Sequence, residues 1–427
     1  MAVNIQTSEQ MSGRKYEVQA TTPWWLPVLL GFLTAVGPIS TDIYLPAFPA
    51  MVRSLHTSLS SVQMTLSIWF VGLAIGQLTV GPLSDRFGRR RPLIVGNAIF
   101  ALASAVCAAA PDILTFSAAR FVASIGASAS LVIPTACVRD LVPDQRAGAR
   151  MMSRLVMVMG VVPILAPMLG GIVVTFVSWR VIFWVSAVYG LLCVLLVTRM
   201  LPETLAEENR QRLPPIMLLA RYFALLGHRG FLSHALISAF STFLSFSYLT
   251  AASPIFINGF GFTPFQFSML FGLFAVFMIG ASQINGALVS RFDPHKILTV
   301  ATSISVAGSL VLLGLAFWMG GHPAVTPGLS PIIVALIGAM LLTLSPTGVI
   351  YPNATMGALA DHAHVAGTAS ALTGTMQYVF GAVAGILIGL LSALPHFSGG
   401  TPLPMAIGMA VGAFAMVMCL PLRPIRT

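Results

Sequence analysis

Between two long apolar runs the chain reads Gly81-Pro-Leu-Ser-Asp-Arg-Phe-Gly-Arg-Arg-Arg-Pro-Leu93, and later, in the same setting, Gly286-Ala-Leu-Val-Ser-Arg-Phe-Asp-Pro-His-Lys-Ile-Leu298. At a constant offset of 205, Gly81 meets Gly286, Leu83 meets Leu288, Arg86-Phe87 meets Arg291-Phe292, and Arg91 meets Lys296. A second echo pairs Ile133-Pro134 with Tyr351-Pro352 and Ala147-Gly148 with Ala366-Gly367, at offsets of 218 and 219. Each match is slight alone, but all keep the same order and the same topological side. An internal repeat in a helical membrane protein is the mark of a secondary transporter, with its substrate site between the halves near the midplane.

The runs around these segments establish the membrane. Of 427 residues, 57% are hydrophobic and 8% charged, with a mean hydropathy of +0.90. Soluble domains carry about a quarter charged residues, so most of this surface must face lipid. Apolar runs long enough to cross about 30 Å of hydrocarbon lie near 24–47, 60–80, 92–110, 114–137, 155–177 and 180–201. Six more lie near 230–254, 265–289, 296–318, 330–352, 366–391 and 403–421. A β-barrel would show short alternating segments instead, so the expected fold is an all-α integral membrane protein with twelve transmembrane helices. The polar stretch 202–229 divides them into an N-terminal six-helix bundle (1–201), a central linker (202–229) and a C-terminal six-helix bundle (230–427).

The net charge of +10 alone would suit nucleic acid, but its placement removes that reading. With the N-terminus inside, 19 of the 22 lysines and arginines fall on inner segments, Arg53 and Arg180 fall outside, and Arg120 lies within a run. This is the positive-inside bias. It predicts a multi-pass protein of the inner (plasma) membrane, both termini cytoplasmic, with lipid and not nucleic acid as its partner. The polar first twenty residues and the full-length first run argue against a cleaved signal peptide. Cys107, Cys137, Cys193 and Cys419 lie unpaired in apolar runs, and the eight histidines lie mostly near loops, so neither a disulfide nor a metal is indicated. The chain contains no GxxxxGKS/T, GxSxG or HExxH, which leaves ATP drive and hydrolytic chemistry without support. An enzyme is not expected.

The set Gly81, Asp85, Arg86, Gly88, Arg89, Arg90 exceeds what a plain basic loop requires. It resembles the cytoplasmic loop motif of the major facilitator superfamily. Ser40-Thr-Asp-Ile-Tyr-Leu-Pro-Ala-Phe-Pro-Ala-Met51 resembles the first-helix motif of the twelve-span drug:proton antiporters, particularly the Bcr/CflA family of bicyclomycin and chloramphenicol exporters. Ala119-Arg120-Phe-Val-Ala-Ser-Ile-Gly126 resembles that family's fourth-helix arginine motif, and Val162-Pro163-Ile-Leu-Ala166-Pro167-Met-Leu-Gly170-Gly171 its fifth-helix antiporter motif. Ala166 stands where the general motif has glycine, and Ser290 replaces the aspartate in the second loop. The resemblance implies a major facilitator fold, monomeric, working by alternating access. It implies proton-coupled efflux of small organic molecules, plausibly antibiotics, with protons as coupling ion and no cofactor. The alternative is a proton-coupled exporter or symporter of a metabolite such as an amino acid, purine or sugar.

The residues themselves indicate where that chemistry would sit. Asp42 is the one carboxylate inside a predicted run; intramembrane acids tend to be functional, and such a group can bind and release a proton. The alternative is a solvated aspartate at the outer interface or a helix cap. Arg120, deep in the fourth run, cannot shed its proton and needs a partner or a water-lined cavity. The resemblance implies proton coupling at both, with Arg120 tuning an acidic partner, against a purely structural arginine. Pro163 and Pro167 remove helix hydrogen bonds while Gly170 and Gly171 permit close packing; without the family this is a kinked helix. Candidate substrate-lining residues are Tyr44, Gln63, Trp69, Gln77, Tyr248, Gln283, Asn285, Asn353, Gln377 and Tyr378. For each of these, ordinary packing is the competing reading.

Overall fold

The computed structural model describes residues 25–141, 162–210, 215–320, 330–362, 365–397 and 400–423, and among these residues there is no strand. Twelve apolar helices follow one another: α1 (Leu26–Ser54), α2 (Leu59–Phe87), α3 (Arg90–Ala109), α4 (Ile113–Leu141), α5 (Val162–Phe176), α6 (Arg180–Met200), α7 (Arg229–Gly259), α8 (Pro264–Val289), α9 (Pro294–Trp318), α10 (Pro331–Leu359), α11 (Ala366–Ala393) and α12 (Leu403–Leu422). All but α5 have the length and hydropathy to cross a membrane, and the expected start of α5, near 155, lies outside the described residues. A short helix, Pro215–Leu226, stands between α6 and α7. Local chemistry sets the helix starts. Ser58, Thr263, Asp293 and Ser330 each accept a backbone N–H from the first turn of the helix that follows. At α8, Gln266 returns the bond to Thr263 and completes a capping box.

Two expectations need correction. The first span runs on past residue 47 to Ser54, as short helical pieces Leu26–Thr34, Val36–Thr41, Leu45–Ala47 and Phe48–Ser54. Pro38, Pro46 and Pro49 lack the N–H that a continuous helix would use, so the chain bends without leaving the bundle, and Asp42 falls in the interior of the span. The motif at Gly81–Arg91 is also not a loop. Helix α2 continues through Pro82 to Phe87, Gly88 turns at φ +87°, and α3 starts at Arg90. The motif is two helix ends joined by a tight turn that glycine alone adopts cheaply.

Small residues bring the helices together, as expected where lipid provides no hydrophobic drive between them. One close approach is between α3 and α4, where Gly96 and Gly126 face each other. A Cβ on Gly126 would lie 2.5 Å from the Gly96 carbonyl oxygen and 2.7 Å from the Phe100 nitrogen. Both are backbone atoms and cannot turn aside. Gly126→Leu should therefore destabilise the bundle by about 1–3 kcal/mol or more, read as a lower unfolding temperature in detergent, whereas Leu102→Ala, on the outward face of α3, should change little. Helix α2 packs along α11, where Gly385 sits beneath Ser67 and Gly374 beneath Gln77. Apolar side chains such as Phe176, Leu114 and Met418 point outward, as a lipid-facing surface requires.

Candidate functional site

The site is built where α1, α2 and α4 meet α7 and α11. Arg120 of α4 is 2% exposed and stands in an aromatic box. Its guanidinium carbon lies 4.2 Å from the Trp69 ring centre, 4.6 Å from Tyr44 and 5.8 Å from Phe183. One of its nitrogens donates to the Ser40 carbonyl oxygen at 3.0 Å. Ring faces stabilise a desolvated cation by about 2 kcal/mol or more, which explains how the charge is tolerated. Ion pairs among the described residues join Arg89 to Asp85 and Asp140, and Arg210 to Glu207. The expected acidic partner of Arg120 is thus replaced by rings and a carbonyl. Tyr44 and Trp69, expected to line a substrate path, are fully buried in this box, and the Tyr44 hydroxyl meets Thr65 Oγ1 at 3.3 Å.

Asp42 lies two residues after that carbonyl. It is 8% exposed, ends the helix Val36–Thr41, and accepts a 2.8 Å hydrogen bond from the Thr41 hydroxyl. The reading of Asp42 as a solvated interface residue is set aside by this burial. Tyr248 of α7 lies within electrostatic reach of Asp42. The Tyr248 ring stacks 5.7 Å from Phe271 and meets Phe274 edge-on at 5.2 Å, while its hydroxyl finds no partner within the protein.

Above and below this pair the two sets of six helices are joined by a polar seam. Gln63 of α2 donates to the Thr250 carbonyl oxygen at 3.1 Å, and Ser60 donates to that of Gly389 at 2.7 Å. Gln63 Oε1, Ser67 Oγ, Thr250 Oγ1 and Ser253 Oγ are buried there without a protein partner. Phe70 stacks on Phe246 at 3.9 Å, and Tyr378 of α11 lies parallel to Phe70 at 6.2 Å. Deeper in the second six helices, Gln377 donates to Ser238 at 2.7 Å and accepts from Tyr351 at 3.3 Å, and Asn353 donates to Asn285 at 2.6 Å. Gln283 is exposed on α8. Residues of α5 close the site from the side: a Cβ on Gly170 would run into the Ile43 carbonyl oxygen, and one on Gly171 into Ser268 of α8. Pro163 and Pro167 lie within continuous helix over the described part of α5.

At one end of the bundle, here termed the basic end, Arg89 ties three helices. It donates to Ser84 and Asp85 of α2 at 2.8 and 2.6 Å and to Asp140 of α4 at 2.8 Å. Glu203, just past α6, accepts the N–H groups of Arg89 and Arg90 at 2.7 and 3.3 Å and so caps α3. Burial works against the charge on Arg89, but Asp140 and Asp85 more than reverse it and hold the guanidinium charged. Arg86 is exposed and lies over Phe87, and Gly81 has open space beside it. The sequence reading missed Ser84, Asp140 and Glu203. Their signal was present: each acid stands at the end of an apolar run on the motif's own side.

A family model described as Major Facilitator Superfamily matches residues 30–386. An uncharacterized MFS-type transporter of Bacillus subtilis is 35% identical over 86% of this chain and 88% of its own length. A bicyclomycin resistance protein homolog of Haemophilus influenzae is 32% identical over 84% of the chain and 87% of its own length. Among solved structures, a D-xylose-proton symporter aligns with a TM-score of 0.70 at 16% identity, over 92% of this chain and 95% of that one, which concerns the fold alone.

Proposed function

The chain belongs to the Major Facilitator Superfamily, and from that premise we propose that this transporter exports small amphiphilic organic molecules across a bacterial-type inner membrane in exchange for protons. One observation carries the reading: among the described residues one carboxylate, Asp42, is buried in mid-span, within electrostatic reach of Tyr248 in the second set of six helices. The likeness to the Haemophilus bicyclomycin resistance protein homolog supports a drug as cargo. The positive-inside bias supports a cytoplasmic basic end.

In this reading the seam opens and closes. Closed, it buries polar oxygens of Gln63, Ser67, Thr250 and Ser253 without a protein partner, and a buried group denied a hydrogen bond costs about 1–3 kcal/mol. Opening lets water reach them, so the closed seam is held only modestly. A proton on Asp42 favours one facing state and the cargo favours the other, because coupling requires different affinities in the two states. Aromatic faces at Phe70, Phe246 and Tyr378, with few fixed polar groups, suit an amphiphile.

The test is transport in liposomes holding the purified protein, acid inside, with a lumenal pH indicator. Chloramphenicol added outside should collapse the gradient and accumulate within, while xylose should do neither. A gradient that collapses with amino acids or sugars and ignores a panel of amphiphilic drugs would overturn the proposal in favour of metabolite transport.

A further inference from the structure

The polar stretch that joins the two sets of six helices contains an apolar helix. Pro215–Leu226 reads Pro-Ile-Met-Leu-Leu-Ala-Arg-Tyr-Phe-Ala-Leu-Leu, with Arg221 as its one charge. Leucine, methionine and alanine favour the helix. At 1.5 Å per residue its 12 residues reach about 18 Å, too short to cross about 30 Å of hydrocarbon. Only Gly227 and His228 separate it from α7, and His228 accepts the Phe231 N–H and caps that helix.

One face of the short helix is packed. Tyr222 and Leu225 are buried against Phe231 and Ala235 in the first turns of α7 and against Leu372 of α11. The helix is therefore held at the level where α7 enters the bilayer, at the basic end of the bundle. Its opposite face is also apolar and lies open: Met217 is 46% exposed, Leu219 51% and Phe223 71%. A helix that is apolar all round belongs in surroundings without water on either side. Along this stretch the charges have one sign. Arg221 stands one turn after Met217, at the border of the open face, and Arg229 is exposed at the start of α7. No acid occurs between Glu208 and Asp293 in the sequence, and the ion pairs among the described residues use neither arginine.

We propose that this helix is an interfacial anchor for an anionic membrane surface. Met217, Leu219 and Phe223 lie among the lipid headgroups and upper acyl chains, and Arg221 and Arg229 meet lipid phosphates. An apolar face with a cationic flank is the pairing such an anchor needs, because burial and attraction to anionic lipid each contribute. Through Tyr222 and Leu225 the bilayer then grips the basic ends of α7 and α11 directly. The anchor is separate from Asp42 and the seam, so it stands whatever the cargo is.

The experiment uses full-length protein carrying Phe223→Cys or Glu208→Cys, labelled with a neutral fluorophore and held one copy to a lipid nanodisc. The four native cysteines are buried, which leaves the label to the added one. Glu208, exposed on the approach to the helix, is the water-facing control. Lipids brominated on the acyl chain should quench the label at 223 about twofold or more over that at 208, and aqueous acrylamide should do the reverse. Replacing part of the phosphatidylcholine with phosphatidylglycerol should strengthen the lipid quenching at 223. Arg221→Gln with Arg229→Gln should remove that increase, as should high salt with both arginines kept. The proposal fails if acrylamide reaches 223 as freely as 208, or if phosphatidylglycerol brings no increase. It fails too if the increase survives both the arginine replacements and high salt. Shielding from both quenchers would mean that protein covers the face, and shielding seen only in crowded liposomes would make the occupant a second copy of the chain; either result overturns the anchor.

Discussion

Asp42→Asn is expected to abolish drug-induced proton release from the purified protein, by more than tenfold, while leaving it folded. The substitution is close to isosteric, and the oxygen that accepts the Thr41 hydroxyl at 2.8 Å remains. What disappears is the one carboxylate that, among the described residues, is buried in mid-span. Arg120 cannot substitute for it, because a guanidinium does not release its proton at working pH. In lightly buffered detergent solution, chloramphenicol should acidify the wild-type sample and leave the variant unchanged. Drug affinity in the variant should also lose its dependence on pH, as linkage demands once the shared proton is gone. Release that persists at wild-type size would place the proton at another group and remove Asp42 from the mechanism.

Arg89→Ala is expected to give the second large effect, a loss of transport of at least tenfold together with a lower unfolding temperature. The alanine leaves the Asp140 carboxylate, mostly buried, without its guanidinium, and Ser84 without a donor. Stranding one member of a buried ion pair costs about 3–5 kcal/mol. The half-exposed Asp85 contributes less, since solvent screens it. Glu203→Gln should be milder, because the amide oxygen can still accept from the α3 N-terminus and only the charge is lost. Transport rate and thermal unfolding measured on the same preparations decide the case. If Arg89→Ala unfolds earlier but the surviving folded fraction transports at the wild-type rate, the corner is a structural tie and has no part in the conformational cycle.

Much of the fold was legible because lipid imposes a one-dimensional rule. A helix must offer about twenty apolar residues to the bilayer whatever its neighbours are, so runs such as 180–201 and 403–421 mark α6 and α12 nearly to the residue. The repeat was legible because Gly81 recurs as Gly286 and Arg86-Phe87 as Arg291-Phe292 at one offset, although the turn glycine Gly88 has Asp293 as its counterpart. The extent of α1 was misjudged where prolines interrupt it, because hydropathy ends at a bend while the span does not. Asp42 was moved by that error from an edge to an interior.

The composition of each site was less legible, and the reason is sequence separation. The box around Arg120 draws on residues 44, 69 and 183, and a carbonyl at residue 40, which only helix packing brings within reach. An isolated arginine in an apolar run announces that a partner exists, but the number of aromatic residues that could serve is too large to choose from. The corner at Arg89 is similar: Asp140 and Glu203 were visible as single acids at the ends of runs, and tertiary contact alone selects them.

By itself the sequence determined the membrane, the twelve apolar helices, the repeat, and the few charges that must be explained inside lipid. Those follow from the cost of exposing polar groups to hydrocarbon, a cost paid residue by residue. Only the tertiary structure decided that Arg120 is held by rings instead of an acid, that Asp42 is buried, and that Arg89 ties Ser84, Asp85 and Asp140 into one corner. Those depend on which side chains from distant helices share a few ångströms of space, and close packing is a property of neighbours, which chain order does not specify.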